Sequence, residues 1–164
     1  MINKPGTAEF PHEISLTIPI VPNIEVAATQ TAEAVAGFME FDREQIDEVK
    51  HALIEACINA FEHSNSNENK VYIRFIMKHE DLTVIIQDFG QGFDVEAVEK
   101  PNIESKFGNS YKRGWGLMLI ESLMDSVTIT SSPAGTVITM TKLRLRGSKK
   151  EEKEVQPAKE VSSD

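Results

Sequence analysis

The sequence predicts an α/β (α+β) domain, a two-layer sandwich in which helices cover one face of a mixed, mostly antiparallel β-sheet. Three observations lead to this fold class. Five short segments alternate apolar with polar residues or are nearly all apolar, as strands are. Three longer segments repeat apolar residues with a helical period. Strands also follow one another across short turns, without strict alternation of strands and helices.

The first half of the domain is predicted as one strand and two helices. Residues 14–18 alternate apolar and polar side chains, and residues 24–38 show a helical period. Asp42 is a predicted N-cap, with Gln45 three residues later in a capping-box pattern, so a helix is expected from Arg43 to about Glu62. Its expected apolar face consists of Ile46, Val49, Leu53, Cys57 (or Ala56), Ala60 and Phe61.

The second half begins with a hairpin and a long loop. Residues 71–77 and 82–86 are predicted strands, joined by a turn at 79–81. Residues 95–113 show no clean period, and we interpret them as a mobile loop, because a loop of this length in a compact domain is usually functional.

The last part of the domain is predicted as a helix and a second hairpin. The helix is expected to open at Gly114-Trp115-Gly116. Residues 126–130 and 136–143 are the two remaining strands, joined by the turn-type residues 131–135.

Composition limits the domain organisation. The chain has 164 residues, of which 40% are hydrophobic and 26% charged, which suits one globular domain and excludes wholesale disorder. Residues 1–12 carry two prolines and a glycine and are expected to form a flexible leader. Residues 147–164 are charged and are expected to form a disordered tail. The domain itself is therefore expected over residues 13–146.

Charge and cysteine content exclude several classes of function. The net charge of −9 gives no overall field that attracts nucleic acid or an anionic membrane. The single cysteine, Cys57, excludes an intramolecular disulfide and fits a reducing compartment. The sequence shows neither a secretory signal nor an apolar run that could span a bilayer, so a cytoplasmic protein is expected.

The first candidate motif lies on the long predicted helix. Glu55 and Asn59 are about 40° apart around the helix and about 6 Å apart along it, so both can reach one ligand. A carboxylate can accept a proton, and an amide oxygen can bind a hard cation such as Mg²⁺. The alternative is a solvated polar face of the helix.

The second and third candidate motifs follow two other elements. Asp88-x-Gly90-x-Gly92 comes directly after an apolar strand, where Asp can accept a hydrogen bond from an exocyclic amine and glycines permit close backbone approach. The alternative is an ordinary turn. Gly114 and Gly116 are expected at a helix N-terminus, which suits phosphates, and Lys112 and Arg113 add positive charge.

Three other side chains carry competing interpretations. His63 either relays a proton or orients the phosphate end, or it caps the end of the helix or makes a local bond there. His51 and His63 are about 120° apart around the helix and do not converge with Glu55 on a zinc ion. Cys57 is expected to be a buried thiol of the core rather than a nucleophile.

The three motifs in this order resemble the nucleotide-binding domain of the histidine-kinase-like ATPase superfamily (GHKL, Bergerat ATP-binding fold), and most nearly the anti-sigma-factor serine/threonine kinases of bacterial partner switching. The first motif is matched by Glu55, Ala56, Asn59, Ala60 and His63. The second is matched by Asp88, Gly90, Gly92 and Phe93. The third and the closing Gly-Thr are matched by Gly114, Gly116, Leu117, Leu119, Ile120, Leu123, Met124, Asp125, Gly135 and Thr136.

The resemblance implies ATP and Mg²⁺ as cofactors and a role for each matched residue. Glu55 would be the general base, and Asn59 would bind Mg²⁺. Asp88, supported by Thr136, would bind the adenine amino group. The other implied nucleotide contacts are Gly90 and Gly92 around the base, Gly114, Gly116 and Leu117 around the phosphates, and either Lys112 or Arg113 at the terminal phosphate.

The resemblance also implies partners. The substrate would be an anti-anti-sigma antagonist protein of the STAS (sulfate-transporter-and-antagonist) type. A sigma factor would be a second partner, and the chain would form a homodimer. Two alternatives remain open: an ATP-dependent sequestering module with little kinase activity, and a switch kinase that acts on a regulator other than a sigma factor.

Overall fold

The computed structural model describes residues 11–64, 67–98 and 109–145, with the side chains of 109–113 left out. Most of the predicted leader 1–12, positions 99–108 of the predicted loop 95–113, and the tail 147–164 therefore lie outside the described residues, as do the side chains of Lys112 and Arg113. No helix in the described ranges has both the length and the apolar character that a membrane crossing requires.

Three helices and five strands make up the described part of the chain. They follow in the order β1 (His12–Pro19), α1 (Glu25–Phe38), α2 (Arg43–His63), β2 (Lys70–Met77), β3 (Asp81–Asp88), α3 (Asn109–Leu123), β4 (Ser126–Ser132) and β5 (Gly135–Leu143). This order and the α+β class agree with the prediction.

The five strands form one sheet in the order β1-β2-β3-β5-β4. Each neighbouring pair is antiparallel, so the described strands include no parallel pair, although a mixed sheet was expected. The reason lies in the connection through α3, which carries β4 to the edge of the sheet. The tight β4–β5 hairpin then returns β5 to the position beside β3.

The hydrophobic core lies between the three helices and one face of this sheet. Alternate residues of the central strands are fully or almost fully buried there, as the period of two requires: Val71, Ile73, Phe75, Met77, Leu82, Val84 and Ile86. Val49, Leu53 and Ala56 of α2 are fully buried against them. This packing fixes α2 across the sheet and brings its C-terminal half to the end of β3.

The N-terminus of α2 confirms half of the predicted capping box. The Asp42 carboxylate accepts a hydrogen bond from the Gln45 backbone N–H at 2.8 Å. The Gln45 side chain does not return to Asp42, however. It donates to the Leu143 carbonyl at 2.7 Å and accepts from the Leu145 N–H at 3.3 Å, which ties α2 to the end of β5.

The start of α3 corrects the prediction for the third motif. The helix begins at Asn109, so Gly114 and Gly116 lie inside it instead of opening it. The cost of a glycine in a helix is only about 1 kcal/mol, and the burial of Leu117 and Ile120 against the core outweighs it. Because the N–H groups of both glycines are used in the helical ladder, they do not form the predicted phosphate-binding loop in this conformation.

Candidate active site

The candidate site lies where β3 ends and β5 begins, between the C-terminal half of α2 and the middle of α3. One pocket there is lined by residues of all these elements, including Asn59, His63, Asp88, Gly92, Leu117 and Thr136. The fold thus gathers at one place five predicted site residues that are far apart in the sequence.

Asp88 and Thr136 form the floor of this pocket. They are register partners on β3 and β5, and both side chains are buried. The Asp88 carboxylate accepts a hydrogen bond from the Gly90 N–H at 2.9 Å, which fixes its orientation. A buried carboxylate held in this way is a specific acceptor for an amino group of a ligand.

Gly92 lets two loops pack together beside the pocket. Its φ of 70° lies in the left-handed region, and an added Cβ atom would come within 2.1 Å of the Ser132 carbonyl oxygen. At Gly90, a Cβ atom would lie 2.9 Å from the Cα atom of Ser64. In the described structure both glycines therefore permit contact between protein segments that shape the pocket.

Glu55 and Asn59 meet α3 at Gly116. A Cβ atom on this glycine would lie 3.2 Å from Glu55 Oε2 and 3.3 Å from Asn59 Nδ2. With glycine at this position, neither side chain has to give way to a Cβ atom on α3. The geometry therefore joins the first and third motifs, although through a helix–helix contact and not through a loop.

Asn59 has an unfulfilled hydrogen-bonding group. Its Nδ2 atom is buried and has no hydrogen-bond partner among the described residues. A buried donor left unbonded costs about 1–3 kcal/mol, so such a group usually has a partner in the functional state. A ligand with acceptor oxygens, such as a phosphate, would supply that partner.

The donor set at Asn59 fits a hard cation that is shared with a bound ligand. The described residues contain no group of three His, Cys, Asp or Glu side chains arranged to hold a metal ion. Mg²⁺, however, is commonly bound through one or two protein oxygens together with phosphate oxygens and water. The Asn59 side-chain oxygen can serve as such a ligand, and Glu55 lies beside it.

Two site residues were missed by the sequence reasoning. Ser131 Oγ accepts a hydrogen bond from the Phe93 N–H at 2.7 Å and lies 2.9 Å from Thr136 Oγ1, so it links the segment after Gly92 to the pocket. Ser64 Oγ is buried beside Gly90 without a partner among the described residues. Both serines stand in turn-type sequences, so only their spatial position distinguishes them.

One of the competing interpretations, that of Cys57, has a structural answer. Cys57 is buried in the core, as predicted. Burial, together with a smaller effect of the Glu25 carboxylate, raises the pKa of its thiol to about 12, so this cysteine is not a nucleophile. His63 lines the pocket, a position that both interpretations of this residue allow.

Comparison with known proteins supports the family resemblance that the sequence motifs indicated. Residues 22–142 match the histidine kinase-like ATPase domain family. The serine-protein kinase RsbW of Bacillus velezensis is 34% identical over 79% of this chain and 84% of its own length. The anti-sigma F factor of Oceanobacillus iheyensis is 30% identical over 80% of this chain and 92% of its own length.

The fold also matches a solved structure. The crystal structure of the RsbU and RsbW domains of Rv1364c from Mycobacterium tuberculosis aligns with a TM-score of 0.62 and 18% sequence identity. The alignment covers 92% of this chain and 35% of that longer chain. The match to the family model over residues 22–142 shows that the chain belongs to the histidine kinase-like ATPase family.

Proposed function

We propose that this chain is a serine-protein kinase and anti-sigma factor that transfers a phosphoryl group from Mg²⁺-bound ATP to a STAS-type anti-anti-sigma protein. Similarity to proteins named serine-protein kinase, within a kinase-like ATPase family, supports a serine/threonine protein kinase. Similarity to a protein named anti-sigma F factor supports a role in partner switching. The observation that carries the proposal is the contact of Glu55 and Asn59 with Gly116, next to the pocket of Asp88.

Each part of the site has one task in this proposal. Asp88 accepts a hydrogen bond from the adenine amino group, and Thr136 supports it. The Asn59 side-chain oxygen binds Mg²⁺, which when bound neutralises charge on the phosphates. Glu55 takes the proton from the substrate serine as that hydroxyl attacks. Most of the catalysis then comes from positioning and charge neutralisation.

The proposed role of α3 in phosphate binding differs from the loop that the sequence suggested. Because Gly114 and Gly116 lie within α3, their N–H groups could bind phosphates only if the first turns of the helix unwound. Gly116 acts in the described state as the contact point for Glu55 and Asn59. Lys112 or Arg113 stays a proposal for the terminal phosphate.

A second candidate function is a sequestering module that holds a sigma factor in an ATP-dependent manner, with kinase activity minor or absent. The relative named anti-sigma F factor, which is 30% identical, favours it. In both cases we propose a homodimer, as the family resemblance implies. The two functions differ in whether Glu55 takes part in chemistry.

A comparison of two carboxamide variants on α2 separates these functions. The purified chain is incubated with a purified STAS-domain protein and radiolabelled ATP–Mg²⁺, and ATP binding is measured in parallel. Glu55→Gln should bind ATP like the wild type and lose phosphorylation about a hundredfold or more, since a general base contributes roughly 10²–10⁴. Glu44→Gln, a change in the first turn of the same helix, should have no effect.

Three outcomes contradict parts of the proposal. Full phosphorylation by Glu55→Gln would refute the general base. Loss of ATP binding in this variant would make Glu55 a binding residue. A wild-type chain that binds the antagonist and a sigma factor without any phosphorylation would favour the sequestering module.

A further inference from the structure

Ser131 completes a row of polar side chains across three neighbouring strands. Asp88 on β3, Thr136 on β5 and Ser131 on β4 are successive register partners. Directly opposed residues of an antiparallel sheet point to the same face, so Ser131 lies on the face from which Asp88 and Thr136 line the pocket. Asp88 and Thr136 are buried, and Ser131 is half-buried beside Thr136.

The hydrogen bonds of Ser131 restrict where its hydroxyl hydrogen can go. Ser131 Oγ accepts from the Phe93 N–H at 2.7 Å and lies 2.9 Å from Thr136 Oγ1, a contact in which either hydroxyl can donate. No other described residue forms a hydrogen bond with Ser131 Oγ. The Ser131 hydrogen therefore has one acceptor within the described protein, Thr136 Oγ1. When Ser131 donates to it, the hydrogen of Thr136 stays available to a ligand.

Adenine presents a donor and an acceptor side by side on one edge. Its exocyclic amino group donates hydrogen bonds, and the neighbouring ring nitrogen N1 accepts them. Guanine has an acceptor oxygen in place of the amino group and an N–H in place of the bare nitrogen. In the proposed function the Asp88 carboxylate accepts from the amino group, so a site that also reads N1 needs a donor next to this carboxylate. The Thr136 hydroxyl is that donor when its hydrogen is not given to Ser131.

We propose that Ser131 is a positioning residue for nucleobase selection, an inference that rests on the ATP site of the proposed function. Ser131 donates to Thr136 Oγ1, and Thr136 therefore turns its own hydrogen toward N1 of adenine. The Phe93 N–H supports this direction because it occupies the acceptor side of the Ser131 hydroxyl. Gly92 leaves room for the same hydroxyl, since an added Cβ atom there would lie 2.8 Å from Ser131 Oγ.

Two analogues of ATP isolate the two groups that are read. In 1-deaza-ATP a C–H replaces N1 and the amino group is kept, whereas purine riboside triphosphate keeps N1 and lacks the amino group. Calorimetric titration of the full chain in the presence of Mg²⁺ gives a dissociation constant for each nucleotide. The wild type should bind 1-deaza-ATP about tenfold more weakly than ATP, the size of effect expected from one hydrogen bond in a buried site.

Removal of the Ser131 hydroxyl should weaken the reading of N1 and leave the reading of the amino group intact. In Ser131→Ala, the preference for ATP over 1-deaza-ATP should fall from about tenfold to about threefold or less, because the Thr136 hydroxyl is no longer oriented. The preference for ATP over purine riboside triphosphate, which Asp88 provides, should stay. A mere displacement of the segment at Phe93 would weaken all three nucleotides alike and leave both ratios unchanged.

Two further variants keep the test independent of an effect on folding. Ser132→Ala is the matched control, because Ser132 lies in the same hairpin, is exposed, and accepts a hydrogen bond from the Ala134 N–H at 3.1 Å. It should keep both ratios of the wild type. Thr136→Val should abolish the preference for N1, and Ser131→Ala added to Thr136→Val should cause no further change in that ratio, since Ser131 acts through Thr136.

The outcomes separate this proposal from the proposed function. Equal binding of ATP and 1-deaza-ATP by the wild type, or an unchanged ratio in Ser131→Ala, would overturn the role of Ser131 and leave the kinase intact. The expected ratios in a chain that never phosphorylates a STAS-domain protein would support the role of Ser131 and refute the kinase. A chain that does not bind ATP would overturn both.

Discussion

Each half of α2 carries one side-chain amide, and the two amides differ in whether the protein satisfies their hydrogen bonds. In the N-terminal half, Gln45 is buried with both ends of its amide bonded, to the Leu143 carbonyl and the Leu145 N–H. In the C-terminal half, Asn59 has a buried Nδ2 atom with no partner among the described residues. The same chemical group thus ties α2 to the end of β5 through two hydrogen bonds in one half of the helix, and keeps an unbonded donor in the other half.

This difference distinguishes a buried polar group that stabilises the fold from one that is available to a ligand. A buried polar group that serves stability is expected to find its partners within the protein, as Gln45 does. A buried polar group that lacks one lowers stability and is retained where a ligand completes it. Asn59 is such a group, and it lies in the pocket that we propose for ATP.

The largest effect is expected from the incomplete amide. Asn59→Ala should weaken Mg²⁺-dependent ATP binding about a hundredfold, because a metal-bridged phosphate contact contributes several kcal/mol. Thermal stability should not fall, since the buried Nδ2 donor has no partner to lose. Calorimetric titration with ATP, with and without Mg²⁺, measures the change. Normal Mg²⁺-dependent binding would refute the ligand role of Asn59.

The completed amide should give the reverse result. Gln45→Ala leaves the Leu143 carbonyl and the Leu145 N–H without their partner and should lower the free energy of unfolding by about 1–3 kcal/mol. The ATP dissociation constant of the folded fraction should not change. Urea unfolding and ATP titration of the same sample test both statements, and a loss of affinity without a loss of stability would abolish the contrast between the two amides.

Two helical glycines, Gly116 in α3 and Gly37 in α1, allow a matched comparison of a crowded and an open position. Gly116→Ala should lower phosphorylation about tenfold, because the added Cβ atom crowds Glu55 and Asn59 at 3.2 and 3.3 Å. Stability should hold, since alanine favours a helix by about 1 kcal/mol. Gly37→Ala in α1 is the control, because an added Cβ atom there meets nothing within 4 Å. It should gain the same helix stabilisation without any change in activity.

The smallest effect concerns Cys57, which lies between the two amides on α2. Its pKa is raised by burial from about 9 to about 12, so the folded chain keeps this proton where the unfolded chain loses it. Stability should therefore start to fall as pH rises through about 9, by little at first and more steeply toward 12. At pH 8.5, iodoacetamide should label the chain only in denaturing urea, as mass spectrometry would detect. Rapid labelling of the native chain would contradict the buried position.

The sequence was sufficient for the fold where local signals and burial agreed. The strand periods of residues 71–77 and 82–86 and the Asp42 cap are local signals, and the structure keeps all of them. The start of α3 was predicted wrongly because glycine is normally a sign of a helix end. Here the two glycines lie inside the helix, and Gly116 leaves room for Glu55 and Asn59, which is a tertiary relation that no local pattern contains.

The site was predictable where its residues form motifs and not where they only meet in space. Asp88 and Thr136 were singled out by the family resemblance, and the sheet register places them side by side. Ser131 reaches Thr136 across the β4–β5 hairpin, and its turn-type surroundings gave no signal of this role.

The pairing of β3 with β5 also makes one pocket depend on two segments that are far apart in the chain. Asp88 lies in the middle of the chain, but its partner Thr136 lies on the last strand. Contacts between distant segments form late, since the entropy of closing the intervening loop must be overcome first. The pocket that we propose for adenine is thus finished only when the last strand docks, and ATP bound there would stabilise by mass action only chains that have completed the sheet. Nucleotide binding would then act as a check on the integrity of the newly made protein before it meets a partner.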